Sequence, residues 1–249
     1  MTFRILGASS IGNAGKRIVP SPLQTQIKRS YQGFVFKRAL ARFRALSEGD
    51  WPTDRDLANL FYGWGNPSHA ANPEYLRFCI KLARESPGPI LECGSGLSTI
   101  VLGLEAAHGR SSVHTLEHIP FWAQKVQKIL DENEIARVNL HVAPLRNYGR
   151  YHWYDPPLAQ MPSEFSLVIC DGPPRTTLGR RYGLLSQMFS RLSAQFLILL
   201  DDVHRSQDQE LLARWADEYG LIAEIRGTRN KFALLKREEP KATGQVVGN

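Results

Sequence analysis

One stretch of sequence decides the fold of this chain, and it reads Ile90-Leu91-Glu92-Cys93-Gly94-Ser95-Gly96-Leu97-Ser98. It begins as a short apolar strand and ends by opening a helix. The two glycines stand at the turn between them, where the backbone bends sharply and must approach a ligand closely, which a Cβ atom would obstruct. The stretch therefore predicts a strand–turn–helix unit with a ligand at its turn.

Beyond this unit, short apolar strands alternate with amphipathic helices. We expect strands at 89–93, 113–117, 138–142, 166–171 and 196–201, helices at 98–108 and 121–130, and a closing hairpin of 221–225 with 232–236. Ser206 and Gln209 have the spacing of a capping box for the last helix, and Gly220 would stop it. The alternation predicts an α/β, Rossmann-like, mostly parallel seven-stranded sheet with a C-terminal antiparallel hairpin strand.

An acidic residue, Glu117, ends the second predicted strand 21 residues beyond Gly96. A carboxylate there can accept hydrogen bonds from both hydroxyls of an adenosine ribose. A nicotinamide dinucleotide enzyme would show the same features, so this alternative stays open. Two residues count against it: Thr99 stands where its third glycine would fall, and Glu92 would repel a pyrophosphate. Glu92 suits the amino group of a methionine moiety instead.

With the Asp171-Gly172 pair after the fourth strand and the closing hairpin, this Glu-x-Gly-x-Gly turn resembles class I S-adenosylmethionine-dependent methyltransferases over residues 87–237. A looser resemblance, in 91–99, 168–174 and 200–202, is to a bacterial group distantly similar to catechol-type O-methyltransferases. The resemblance implies an S-adenosylmethionine site whose residues run from the methionine end through the ribose and adenine to the reacting centre. They are Glu92, Gly94, Ser95, Gly96, Ser98, Glu117, His118, Ala143, Pro144 and Asp171.

Three carboxylates follow predicted strand ends: Asp171, Asp201 and Asp202. The catechol-type resemblance implies that they hold Mg²⁺, which prefers hard oxygen ligands, although this chain has Asp-Asp where an Asp-Asn pair is usual. The alternative is that they cap helices and form turns. Asp171 and His204 are the candidate catalytic residues, and His204 is the candidate general base if no metal takes part.

The resemblance further implies O-methylation of a small hydroxylated acceptor. The aromatic segment 148–155, with Tyr62, Trp64, Arg175 and Tyr182, would line the acceptor pocket or else cover the sheet edge. Three other functions stay open: an RNA methyltransferase, a nicotinamide-dependent oxidoreductase, and a non-catalytic binding protein. We recognise no RNA-binding module, and residues 48–249 carry 22 basic against 24 acidic residues, so no specific nucleic-acid partner is predicted.

The net charge of +7 comes from the N-terminal part, because residues 1–47 hold nine Lys or Arg and no acid. Apolar residues recur there at helical spacing and predict a basic amphipathic helix: Ile27, Tyr31, Phe34, Val35, Leu40, Phe43 and Leu46. The helix either docks on the domain with its basic face in solvent or attaches through residues 24–46 to an anionic membrane surface or an acidic partner. An organellar transit peptide is a third alternative.

We thus expect a basic extension at 1–50 with a loose start, a helical lead-in at 51–86, the cofactor-binding domain at 87–237 and a disordered tail at 238–249. Cys79, Cys93 and Cys170 lack metal-ligand spacing and predict buried, reduced thiols. The apolar run 196–200 is far too short to span a membrane. These features predict a cytoplasmic protein, or one peripheral to a membrane.

Overall fold

The computed structural model describes residues 21–47, 49–109 and 111–238. The predicted loose start and most of the predicted tail lie outside these ranges. Within them the helices are α1 Ser21–Arg44, α2 Asp54–Trp64, α3 Pro73–Glu85, α4 Leu97–His108, α5 Pro120–Glu132, α6 Gly183–Met188 and α7 Ser206–Tyr219. The strands are β1 Ile90–Cys93, β2 Val113–Glu117, β3 Val138–Val142, β4 Leu145–Asn147, β5 His152–Tyr154, β6 Phe165–Cys170, β7 Leu192–Leu200, β8 Leu221–Arg226 and β9 Phe232–Arg237.

Seven strands form one sheet in the order β3-β2-β1-β6-β7-β9-β8. The first five are parallel, and β9 runs antiparallel to both of its neighbours. This confirms the predicted mostly parallel sheet with an antiparallel C-terminal hairpin strand. The order reverses between β1 and β6, and open α/β sheets bind ligands at the carboxyl ends of the strands beside such a point.

Two hydrophobic layers cover the sheet, which explains why its central strands read as continuous apolar runs. On one face α1 to α5 pack against alternate strand residues such as Ile90 and Ile169. On the other face α6, α7 and the β4–β5 hairpin pack against the residues between them, such as Leu91 and Val168. Cys79, Cys93 and Cys170 are buried free thiols, as predicted.

The predicted helical lead-in is two helices, each started by its own cap. Thr53 caps α2 with a reciprocal capping box to Asp56, and Gly65 ends that helix at φ 76°. Asn72 Oδ1 accepts from the Tyr75 N–H 3.0 Å away and starts α3. The aromatic, glycine-rich stretch 61–66 is therefore the end of α2 and the start of the loop to α3.

The prediction that the apolar residues of the N-terminal helix share one face was wrong. Leu40 and Phe43 of α1 are buried against α2, together with Phe36 and Ala39. Other residues assigned to that face point to solvent, and their exposed fractions are 55% for Ile27, 58% for Tyr31 and 59% for Phe34. The pattern mixed two faces of the helix, because apolar spacing does not distinguish a covered face from an uncovered one.

Smaller corrections concern α7 and the segment after β3. The cap of α7 is not Ser206 with Gln209: the helix follows Arg205, whose backbone N–H donates to Asp208 Oδ2 at 3.2 Å. Gly220 does end it, at φ 62°. The aromatic segment 148–155 contains β5 and the turn from β4, which ends directly before it; the two strands form a hairpin too short to show a period of its own. No helix in the described ranges is long and apolar enough to cross a membrane.

Candidate active site

A cavity of about 730 Å³ opens at the carboxyl ends of β1, β2, β6 and β7. Seven of the predicted site residues line it: Gly94, Ser95, Glu117, His118, Asp171, Asp201 and Asp202. A second cavity of about 490 Å³ lies at the opposite sheet edge, beside the start of β1 and the Arg84–Glu105 ion pair. It contains none of the predicted site residues, and we place the site in the first cavity.

The turn after β1 has the geometry that its glycines predicted. Gly94 has φ 91°, and its N–H donates to the Leu116 carbonyl at 2.9 Å. A Cβ atom on Gly94 would lie 3.2 Å from the backbone N of Gly172, so the turns after β1 and β6 approach each other closely. A Cβ atom on Gly96 would meet nothing within 4 Å. The turn therefore leaves open space beside Gly96.

Glu92 sits under this turn and is only 1% exposed. Its Oε2 accepts hydrogen bonds from the hydroxyls of Thr99 and Thr115 at 2.7 and 2.8 Å. Its Oε1 is buried and makes no hydrogen bond of good geometry with a described residue, although the nearby Ser98 hydroxyl acts to lower the pKa of this acid. Burial raises the pKa of Glu92 to about 7. The residue does not line the open cavity, but its unsatisfied oxygen is an acceptor that an ammonium group would satisfy.

Glu117 lies on the cavity wall one strand away. Its Oε2 accepts from the backbone N–H and the hydroxyl of Ser95 at 3.0 and 2.8 Å, and its Oε1 accepts from the Ile119 N–H at 2.9 Å. Burial favours the protonated acid, but these donors and His118 outweigh it, so the pKa of Glu117 is lowered. A carboxylate has about four acceptor positions, of which Ser95 and Ile119 use three, and His118 Nδ1 lies 3.1 Å from Oε1, so a ribose hydroxyl would have to take the position that His118 faces.

Arg181 occupies the position between β6 and β7 where the sequence suggested a metal. Its guanidinium donates to the backbone carbonyls of Asp171 and Asp201, both at 2.5 Å, and to Asp171 Oδ1 at 3.2 Å. The described ranges contain no group of three His, Cys, Asp or Glu side chains that could hold a metal ion. The structure thus does not support the magnesium prediction, because an internal cation already faces these acids.

Asp201 and Asp202 turn the chain from β7 towards α7. Asp201 Oδ1 accepts from the Asp202 N–H at 2.9 Å, and Asp202 adopts φ 58°, which is uncommon for a residue with a side chain. Burial, followed by the charges of Asp171 and Asp202, raises the pKa of Asp201 above the ordinary carboxyl range. Burial raises the pKa of Asp171 as well, although Arg181 opposes this.

Several predicted site residues do not line the cavity. Gly96, Ser98 and Ala143 are buried, Pro144 is exposed on the loop after β3, and exposed His204 lies 3.8 Å from Asp202. From the predicted aromatic wall only Tyr154 and Arg175 line the cavity, whereas Tyr62, Trp64 and Tyr182 do not. The Tyr154 hydroxyl is buried without a partner among the described residues.

Other lining residues were missed in the sequence: His69, Trp122, Arg180, Arg181 and Arg205. Trp122 lies in the helix predicted at 121–130, and its Nε1 donates to the Ser95 carbonyl at 2.8 Å and supports the glycine turn. The adjacent arginines 180 and 181 read as an exposed basic pair. Only their chain position, after the fourth strand and its Asp-Gly turn, could have pointed to the site.

Comparisons with known proteins agree with this geometry at the level of the fold. No protein-family model matches the chain, and no curated protein matches its sequence significantly. Among solved structures, the S-adenosylhomocysteine-bound methyltransferase PaMTH1 of Podospora anserina has a TM-score of 0.56 at 16% identity, covering 89% of this chain and 99% of that protein. The O-methyltransferase of Bacillus cereus with S-adenosylhomocysteine has a TM-score of 0.56 at 15% identity, covering 86% and 99%.

A third similar structure is the precorrin-6y C5,15-methyltransferase of Geobacter metallireducens, with a TM-score of 0.52 at 12% identity, covering 69% of this chain and 91% of that one. Identities this low compare folds and leave substrates undecided. The chain has the fold of class I S-adenosylmethionine-dependent methyltransferases, as the sequence resemblance implied.

Proposed function

We propose that this protein is an S-adenosylmethionine-dependent methyltransferase that binds its cofactor at the carboxyl edge of the sheet. The observation that carries the proposal is the pair of acids beside the glycine turn. Glu92 has a buried oxygen without a partner, and Glu117 lies on the cavity wall with its pKa lowered. The first suits the ammonium of a methionine moiety and the second suits ribose hydroxyls.

The sheet topology also disfavours the nicotinamide alternative. A dinucleotide-binding Rossmann sheet is parallel throughout in its usual strand order, whereas β9 here is antiparallel between β7 and β8. Thr99 adds a local reason, since its hydroxyl donates to Glu92 and holds this acid beneath the turn where a pyrophosphate would otherwise lie.

We further propose oxygen methylation of a small hydroxylated acceptor. When bound, S-adenosylmethionine supplies a methyl group on a sulfonium, and the protein's task is to orient the acceptor and take its proton. The described acids lining the acceptor side of the cavity are Asp171, Asp201, Asp202 and Asp208, and Asp208 is paired with Arg180. Asp171 is paired in the same way with Arg181, so Asp201 and Asp202 are the first candidates for the proton acceptor and Asp171 follows them. His204, outside the lining, is a weaker candidate than the sequence suggested.

Two cations on the cavity wall narrow the chemical class of the proposed acceptor further. The guanidinium groups of Arg175 and Arg205 form no hydrogen bond or ion pair with any described residue, whereas those of Arg180 and Arg181 are engaged with Asp208 and Asp171. Unpaired guanidiniums in a cleft favour a carboxylate or phosphate ligand. An acceptor with both a hydroxyl and an anionic group is therefore the class that we propose.

Calorimetric titration tests the cofactor assignment. The chain should bind S-adenosylmethionine and S-adenosylhomocysteine but not NAD⁺, and Glu117→Ala should weaken binding by about 1.5–3 kcal/mol, or about 10- to 150-fold in Kd. Glu132→Ala, at the far end of α5 and 56% exposed, is the matched control and should bind normally. Unchanged affinity in Glu117→Ala would refute the ribose assignment.

An acceptor screen tests the chemistry. Hydroxybenzoates should be methylated in preference to neutral phenols, and Arg175→Gln or Arg205→Gln should raise KM for the anionic acceptors more than for the neutral ones. Efficient transfer to RNA or to a protein amine, with none to small hydroxylated molecules, would contradict the proposal.

A further inference from the structure

The outer face of α1 carries a stripe of large apolar side chains, which we call the α1 stripe. It consists of Leu23, Ile27, Tyr31 and Phe34, whose spacings of four, four and three residues place them on one side of a helix. Their exposed fractions are 47%, 55%, 58% and 59%. Four such neighbours form a contiguous patch, and contiguous exposed apolar patches mark interaction sites more often than scattered residues do.

The α1 stripe is separate from the face by which α1 packs on the rest of the protein. The docked face consists of Phe36, Ala39, Leu40 and Phe43, all buried against the rest of the protein. At 3.6 residues per turn, the mean direction of this face and that of the stripe are roughly opposite. The helix is thus attached by one face and presents a second apolar face to the surroundings.

Basic side chains lie at several positions around α1: at 3.6 residues per turn Lys37 and Arg38 lie beside the stripe, Lys28 lies further round, and Arg29 points away from it. Lys28, Arg29, Lys37 and Arg38 are exposed and form no ion pair with any residue of the described ranges, unlike Arg42 and Arg44, which pair with Asp56 and Glu134. The sequence has no acid among residues 1–47, and Arg4, Lys16 and Arg17 precede the helix. Within the described ranges, the basic side chains beside the stripe therefore have no acidic partner.

We propose that the α1 stripe binds an anionic lipid surface, with α1 lying in the plane of the interface. Apolar side chains including Tyr and Phe, flanked by Lys and Arg, are the features of an interfacial helix. A second copy of this chain fits less well, because two stripes face to face would bring together Lys37 and Arg38 from each copy, with no acid on α1 of either copy.

Vesicle co-sedimentation of the full chain tests the proposal. Vesicles of phosphatidylcholine alone are compared with vesicles made of equal amounts of phosphatidylcholine and phosphatidylserine. We expect binding to the anionic vesicles only. Ile27→Ser with Phe34→Ser should reduce it at least tenfold. Lys37→Glu with Arg38→Glu should do the same, since one basic residue near an anionic surface contributes about fivefold in binding.

Two control variants carry equivalent changes elsewhere. Ile222→Ser with Ile225→Ser alters apolar residues that are 42% and 41% exposed on β8, and Lys81→Glu with Lys128→Glu reverses two exposed charges on other helices. Both should bind like the parent chain. All variants should keep the parent Tm, because the altered side chains lie on the surface.

Three results would overturn the proposal. One is equal binding to neutral vesicles or binding that survives the charge reversal. Another is concentration-dependent dimerisation that only the stripe variant abolishes, without vesicle binding. The third is that the parent does not bind vesicles and the stripe variant has a lowered Tm. That result would mean that part of this chain or an acidic protein covers the stripe. None of these outcomes depends on whether the chain transfers methyl groups.

Discussion

Replacing Arg181 with methionine removes a cation that lies between the ends of β6 and β7. The guanidinium is 12% exposed and donates three hydrogen bonds, two of them to backbone carbonyls and one to the Asp171 carboxylate. Methionine has similar length and no charge, so it can fill the space while leaving Asp171 unpaired. The substitution therefore tests whether Arg181 is the internal counter-charge of Asp171 and the neighbouring aspartates.

The magnitude follows from the burial of the pair. Arg181 is 12% exposed but Asp171 is 36% exposed, so solvent compensates part of the charge left behind, and the cost lies below the roughly 3–5 kcal/mol of a fully buried pair, at about 1–3 kcal/mol. For a domain of this size each kcal/mol lowers Tm by about 2–4 °C, so we expect Arg181→Met to lower Tm by about 2–12 °C. Arg146→Met is the control, because Arg146 and Asp155 are 62% and 49% exposed and such pairs contribute about 1 kcal/mol or less.

Thermal unfolding by circular dichroism at several pH values measures both variants. Burial already raises the pKa of Asp171, and Arg181 opposes this, so loss of the cation raises that pKa further. The deficit of Arg181→Met should therefore be largest at neutral pH and shrink as the pH falls and Asp171 becomes neutral. Asp171→Asn in the same background should recover part of the loss. A deficit no larger than that of Arg146→Met, or one independent of pH, would refute the reasoning.

Three further predictions use the same site. Methyl transfer should persist in excess chelator, because Arg181 already faces the acids that a metal would bind, and full loss of activity restored by Mg²⁺ would contradict this. Burial raises the pKa of Glu92 to about 7, so ionisation of this acid destabilises the folded state, and the stability that the neutral acid provides is lost as the pH rises from about 4.5 to 7. The free energy of unfolding of Glu92→Gln, measured by denaturant titration, should therefore rise by about 3 kcal/mol relative to the parent across that window. A difference that does not change with pH would exclude this. Gly96→Ala should keep the parent Tm but weaken cofactor binding in calorimetry, whereas Gly172→Ala, whose Cβ would lie 2.2 Å from the Tyr154 hydroxyl, should lower Tm; equal affinity in Gly96→Ala would show that the cofactor does not fill the space beside that turn.

The sheet could be predicted from the sequence because each central strand carries its own signal. Strands β2 and β3 have the predicted bounds, β1 begins one residue later than predicted, and β6 both begins and ends one residue earlier. These strands are buried on both faces, so their residues form apolar runs with polar turns at the ends. The β4–β5 hairpin could not be found in this way, since its three-residue strands are held by Trp153 and Tyr154, which pack on the sheet.

The cofactor side of the site could be predicted for a similar reason. Glu92, Gly94 and Glu117 belong to a local motif in which the backbone turn itself dictates the residue type. The two threonines that hold Glu92 come from α4 and β2, and their pairing with this acid depends on the register of neighbouring strands. Sequence spacing gives the acid, and the fold decides which of its oxygens is left without a donor.

The acceptor side of the site could not be predicted from the spacing of its residues in the sequence. Aspartates after adjacent strands repel one another whether a metal ion or a guanidinium relieves the repulsion, so their spacing cannot distinguish the two. The distinction lies in Arg181, which follows Asp171 by ten residues in a loop without periodicity and reaches back across both strand ends. The same limit applied to α1, where apolar spacing identified a helix but not which face the protein covers. In both places a long-range contact decides between two chemically reasonable interpretations, and the functional proposals of greatest consequence therefore rest on side chains that the structure brings together.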